Sequence, residues 1–182
     1  MSRPLAASSR RWPYLLRSAT GWASRELGHL GLADLTQGRY REAADRFHQT
    51  VALCREIGDR LGEARTLGNI GSAYRRLGRY QQATEHQQQS LLLCRELGDQ
   101  RGHAIALFRL GAMDLELGRY QQATDYLQQS LALFREIGDQ ASEAQTLNGL
   151  GEILIAAGQA DHARTRHTAA LALASQIGAK NH

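Results

Sequence analysis

The sequence predicts an all-α protein: an α-α superhelix (solenoid) of four stacked helical hairpins. Three observations predict it. A glycine turn, "QGRY" at Gln37–Tyr40 and "LGRY" at Leu77–Tyr80 and Leu117–Tyr120, recurs every 40 residues. A second marker, "REIGD" at Arg55–Asp59, "RELGD" at Arg95–Asp99 and "REIGD" at Arg135–Asp139, falls midway between those turns. The composition favours helices: there are 2 prolines, few β-branched residues, and abundant Gln, Ala, Leu, Arg and Glu. Self-similarity at a period of this size marks an array of small supersecondary units.

The elements follow in order. Residues 1–20 form a basic lead-in with no acidic residue before Glu26, read either as a frayed stretch or as an extra helix. It lacks the apolar core of a secretory signal. Four repeats follow, at about 21–58, 59–98, 99–138 and 139–178, with 179–182 as a tail. Each holds a helix A, closed at Gly38, Gly78, Gly118 or Gly158, and a helix B. Helix B closes at Gly58, Gly98 and Gly138, and at a decayed "SQIGA" (Ser175–Ala179) in the fourth copy. Glycine just past a helix accepts the left-handed conformation that ends the last turn. Asp59, Asp99 and Asp139 follow such glycines, where a carboxylate caps the next helix.

Helical spacing supports the division. In the second copy Leu67, Ile70, Tyr74 and Leu77 mark one face of helix A, and Tyr80, Ala83, Gln87, Leu91 and Cys94 one face of helix B. Neither stripe is buried by its own helix. Pairing and stacking bury both. Cys54 and Cys94 share a slot with Phe134 and Ala174, so they read as buried, reduced thiols in a cytoplasmic setting. The runs "YQQATEHQQQS" and "YQQATDYLQQS" lie on helix B, with most glutamines on its hydrated side.

Several function classes find no support. The net charge is +4, from 22 basic and 18 acidic residues, a mild excess. Arg10, Arg11, Arg75, Arg76 and Arg79 make basic spots without interleaved aromatics, which does not indicate nucleic-acid reading. No apolar run approaches the ~20 residues of a membrane helix. The seven histidines are scattered, no metal-ligand spacing appears, and no cofactor is implied. Catalytic signatures are absent, and the glycines recur with the repeat, so turns and packing explain them.

The residues also resemble a known family, the tetratricopeptide repeat. Its leucine-glycine pair in helix A corresponds to Leu30–Gly31, Ile70–Gly71, Leu110–Gly111 and Leu150–Gly151. Its small residue in helix B corresponds to Ala43, Ala83, Ala123 and Ala163. Small side chains at both sites let the helices of a hairpin approach closely. The family's usual period is about 34 residues, so the 40-residue period here implies longer helices. The alternation of "LGD" and "LGRY" resembles the repeat tails of actinobacterial multidomain regulators.

The resemblance implies that the A helices line a concave groove for a peptide or helix. By that analogy the groove residues are Arg25, Arg65, Asn69, Ser72 and Arg75 on a basic, polar half. Ile105, Phe108, Arg109, Ala112, Leu115, Asn148 and Glu152 continue it on a more apolar half. Arginine grips a carboxylate through two parallel hydrogen bonds, and an asparagine side chain holds a peptide amide by donating and accepting at once. The expected ligand is therefore an acidic, amphipathic protein segment. Gly28, Gly68 and Phe108 stand where the family's chaperone-tail binders place ligands, so that specificity is not assigned. The alternative is a homodimer assembled through terminal helices, on the apolar Ala169, Leu171, Leu173 and Ile177 of the last helix. A groove enzyme is a remote third.

Overall fold

The computed structural model describes residues 12–180; residues 1–11 of the basic lead-in, Arg10 and Arg11 among them, and residues 181–182 lie outside the described residues. The described chain is a run of eight α-helices: α1 (Trp12–Thr36), α2 (Tyr40–Ile57), α3 (Arg60–Arg76), α4 (Tyr80–Glu96), α5 (Gln100–Glu116), α6 (Tyr120–Glu136), α7 (Gln140–Ala156) and α8 (Ala160–Lys180). They pair as four hairpins that stack into a tetratricopeptide-type solenoid.

The punctuation works as its chemistry dictates. Gly58 (φ 76°) and Gly78 (φ 71°) both sit in the left-handed region, with nothing within 4 Å of where a Cβ would be. Backbone conformation, not crowding, therefore demands glycine there. Asp59 accepts a hydrogen bond from the Gly62 amide at 2.8 Å, Asp99 from Gly102 at 3.0 Å and Asp139 from Ser142 at 3.1 Å. These are side-chain N-caps of α3, α5 and α7. The fourth marker departs from expectation: α8 runs through Gly178 to Lys180. No aspartate follows that glycine, and a glycine inside a helix costs only about 1 kcal/mol relative to alanine.

The arginine of the turn has its own task. Arg39 donates from Nε to buried Asp34 at 2.8 Å and again through its terminal nitrogen, while Arg46 Nε reaches the other carboxylate oxygen at 2.5 Å. The hydrogen bond from Arg39 leads in holding the Asp34 pKa below the ordinary carboxylate value, against the opposing effect of burial. Arg119 pairs with Asp114 at 3.4 Å, and Arg79 lies 5.9 Å above the Tyr74 ring. Each of these turns is therefore tied back to the helix it closes.

Close approach within hairpins rests on the small residues. A Cβ on Gly31 would meet the Phe47 ring at 2.6 Å, one on Gly71 would meet Gln87 at 2.8 Å, and one on Gly111 would meet Leu127 at 2.8 Å. Ala43, Ala83 and Ala123 are fully buried. Phe47 and Phe134 are buried at different register positions of the outer-layer helices; Phe134 shares its slot with Cys54 and Cys94, which are buried free thiols. Along the array the backbones of α1 and α3, of α3 and α5 and of α5 and α7 come close, whereas among the described residues those of the even-numbered helices stay apart, although the His48 ring of α2 meets the His86 ring of α4. The odd-numbered helices thus form the inner, concave layer.

Candidate functional site

The inner layer leaves one face of α1, α3, α5 and α7 uncovered, and three clefts follow one another along it. The first, of about 400 Å³, lies between α1 and α3 and is lined by Leu35, Thr36, Tyr40, Ser72, Arg75 and Arg76. The second, of about 470 Å³, includes Leu32, Arg65, Asn69, Asp99, Arg101, Ile105 and Arg109. The third, of about 380 Å³, lies between α5 and α7 and includes Phe108, Ala112, Leu115, Glu116, Gln145, Asn148 and Glu152.

The expected groove residues thus fall into three neighbouring groups. Ser72 and Arg75 line the first cleft. Arg65, Asn69, Ile105 and Arg109 share the second, and Phe108, Ala112, Leu115, Asn148 and Glu152 share the third. Arg25 lines none of them; its guanidinium donates at 3.2 Å to the Gly21 carbonyl of its own helix. Phe108 and Leu115 pack against the apolar core between α6 and α7, so they form a half-buried floor.

The electrostatics differ from a simple basic half. Arg75 is paired with Glu116, Arg65 lies 3.7 Å from Asp99, and Arg101 lies 3.1 Å from Asp139. Each pair bridges successive repeats. Asn148 Oδ1 lies 3.1 Å from His167 Nδ1, so one side of that amide is engaged within its own hairpin. Ser72 donates to the Gly68 carbonyl at 3.1 Å. Arg109 is not so paired: it donates to Asn69 Oδ1 at 3.3 Å, and among the described residues no carboxylate lies within ion-pairing distance of it or of Arg76 in the first cleft. Burial pulls its pKa below the ordinary arginine value, and the nearby Arg75 cation adds to this.

Sequence reasoning missed Glu116, Asp99 and Arg101 as groove residues. Asp99 had a sufficient reason to exist as a cap. Glu116 stands 41 residues after Arg75, one period and one position on, which is where an inter-repeat partner belongs.

An aromatic cluster sits apart from the clefts, between α2, α3 and α4. His48 Nε2 lies 3.0 Å from the Tyr74 hydroxyl, and the His86 ring stacks on Tyr74 at 5.5 Å. Burial is the main cause lowering the His86 pKa, and the neighbouring His48 adds to it. Among the described residues no three His, Cys, Asp or Glu side chains are grouped to hold a metal ion. No described helix is long and apolar enough to cross a membrane.

Comparison with known proteins agrees with this geometry. A family model, tetratricopeptide repeat, matches residues 26–96, 62–136 and 102–176 in overlapping registers. No curated protein sequence matches the chain. Among solved structures it is similar to BtubC (BKLC) from P. vanneervenii, at 19% identity and a TM-score of 0.76, over 93% of this chain and 74% of that one. It is also similar to aspartyl phosphate phosphatase F from Bacillus subtilis, at 16% identity and a TM-score of 0.81, over 85% of this chain and 41% of that one. RapI in its apo form matches at 16% identity and a TM-score of 0.78, over 87% of this chain and 58% of that one. The chain thus spans less than two thirds of the latter two, and at these identities the likeness is one of fold.

Proposed function

We propose that this chain, which belongs to the tetratricopeptide repeat family, binds an extended or helical segment of another protein along the inner face of α1, α3, α5 and α7. One observation carries the reading. Successive odd-numbered helices touch along their edges only, leaving a continuous open face on which three clefts succeed one another. A segment lying there would place apolar side chains over Ile105, Phe108 and Leu115 and polar backbone groups near Asn69. Ion pairs already engage Arg65 and Arg75, so the acidic character of the segment matters mainly near Arg109. A regulatory role in a bacterial cytoplasm fits the resemblance of these repeats to the tails of bacterial multidomain regulators, and it fits two reduced, buried thiols.

Random-peptide display on the purified protein tests the groove. Ala112 lines the third cleft without belonging to the buried core, so Ala112→Arg obstructs the path while leaving the fold intact. The wild type is expected to enrich a family of peptides that the variant does not bind. Equal binding by both would sink the reading.

A second reading, self-association, has its own observation. Trp22 is 68% exposed, Ile155 58% and Leu171 69%, all on helices of the two end hairpins. Sedimentation equilibrium over a concentration series tests it: a mass that rises toward the dimer supports association, and a constant monomer mass refutes it.

A further inference from the structure

Three rings join the first hairpin to the second, and we propose that they form a proton-operated latch, closed while His86 is neutral and released when it is protonated. His48 stands on α2, Tyr74 on α3 and His86 on α4. The His48 and His86 rings meet edge-on at 5.5 Å between centroids, His86 stacks on Tyr74 at 5.5 Å, and His48 Nε2 lies 3.0 Å from the Tyr74 hydroxyl. The backbones of α2 and α4 stay apart, so side chains alone span this junction between the outer helices. The arrangement is particular to it. One period on, Gln88 and Tyr126 occupy the register of His48 and His86, and one period earlier Arg46 occupies that of His86.

The geometry favours a neutral His86. Its Nδ1 is buried and has no hydrogen-bond partner among the described residues. A neutral ring can turn its bare nitrogen there; a protonated ring would bury a charged N–H with no acceptor, which costs far more. The neighbouring groups point the same way. From α2 come His48 and Arg55, the latter paired with Glu63 of α3 at 2.6 Å. From α3 comes the Tyr74 hydroxyl, and Arg79, the residue before α4, lies 5.9 Å from the centre of the Tyr74 ring. Burial first, then His48, hold the pKa of His86 below the ordinary histidine value, and Arg55 adds to them. Only Glu85, on α4 itself, favours the proton, and α5 adds no charge that acts on the ring. The junction is therefore fully supported above about pH 6.5 and loses that support as the pH falls through the lowered value. The first cleft lies at the same junction, between α1 and α3, so release on the outer side shifts its walls on the inner side. The latch does not depend on what the groove binds.

Hydrogen exchange on the whole chain, read segment by segment by mass spectrometry, tests this. Protection of α2 is compared with that of α7 as an internal reference, at about pH 7.5 and about pH 5.5, with exchange times corrected for the intrinsic rate. At about pH 5.5 a histidine of ordinary pKa is protonated about tenfold over its neutral form. The ratio of α2 to α7 protection in the wild type should therefore fall by about threefold to tenfold on acidification. His86→Phe keeps the ring and His86→Gln keeps a polar side chain; neither takes up a proton there, so each should hold the ratio constant, and one folded variant is enough. Equal loss of protection in α2 and α7 would make His86 a contributor to global stability only and would overturn the latch. So would a fall in the ratio that persists in either variant.

Discussion

Alanine at Gly71 offers a sharp test of how these hairpins are held. Gly71 lies inside α3 against α4. A Cβ there would meet Cγ and Nε2 of Gln87 at 2.8 Å and the backbone oxygen of Ala83 at 3.0 Å. The backbone cannot yield without separating the helices, so Gln87 has to move. Its Nε2 donates a buried hydrogen bond to the Gly68 carbonyl at 2.8 Å. Overpacking costs about 1–3 kcal/mol, and losing that bond about 1–3 kcal/mol more. Alanine returns about 1 kcal/mol through helix propensity. The net destabilisation is about 3 kcal/mol, within a range of roughly 1–5 kcal/mol. At this chain length each kcal/mol shifts the melting temperature by about 2–4 °C, so a drop of about 6–12 °C is expected. Gly28→Ala is the control: the nearest atom to its Cβ is Thr50 Cγ2 at 3.8 Å, an ordinary contact, so the same change should stabilise by up to about 1 kcal/mol. Urea unfolding followed by far-UV circular dichroism and by tryptophan fluorescence reads both, and coincident transitions license a single free energy for a repeat array. The reasoning fails if Gly71→Ala is as stable as wild type, or if both substitutions shift the midpoint in the same direction.

Three further outcomes follow from the same structure. Phe47→Ala empties a fully buried site against Gly31 and should cost about 3–5 kcal/mol in urea unfolding. Asp139→Ala removes the cap of α7, which accepts from both the amide and the hydroxyl of Ser142, and should cost about 0.5–2 kcal/mol by the same assay. The folded-state pKa of His86 lies below its ordinary value, chiefly through burial, so the unfolded chain binds more protons as the solution is acidified. Its contribution is fully present above about pH 6.5 and is lost as the pH falls through the lowered value. Glu85 works against the shift and Arg55 with it. His86→Phe keeps a ring on Tyr74 and should flatten the fall in melting temperature between neutral and mildly acidic pH, leaving a residual slope from His103, whose pKa burial also lowers. An unchanged slope would refute this assignment.

Much of the fold was legible because its signals are local. A glycine that must take a positive φ, an aspartate one residue later, and a small residue every period carry their meaning within a few positions. The fourth "SQIG" shows the limit, since glycine without its aspartate did not stop α8. The turn arginine was overlooked, although its signal stands in the four copies. Asp34 goes with Arg39, Tyr74 with Arg79 and Asp114 with Arg119, while the copy carrying Leu154 has Gln159 in place of the arginine. Each arginine accompanies a partner five residues earlier, across a turn whose shape had to be known first.

The site was less legible, for an electrostatic reason. Family resemblance named the inward rows, and the clefts gather all of them except Arg25. Which arginines remain available depends on pairs between repeats, such as Arg75 with Glu116 and Arg65 with Asp99. Those pairs span about a full period and depend on how the hairpins stack. A count of inward charges therefore overstates the free positive charge, because Arg65 and Arg75 are paired while, among the described residues, Arg76 and Arg109 are not.

The central claim is that the inner layer is the docking surface. Its most direct test is chemical-shift mapping on the assigned protein with a display-selected peptide. The account predicts perturbations clustered at Asn69, Ile105, Ala112 and Leu115, with the exposed outer glutamines Gln82, Gln89, Gln122 and Gln129 unmoved. Shifts confined to those outer glutamines, with the inner residues silent, would contradict it.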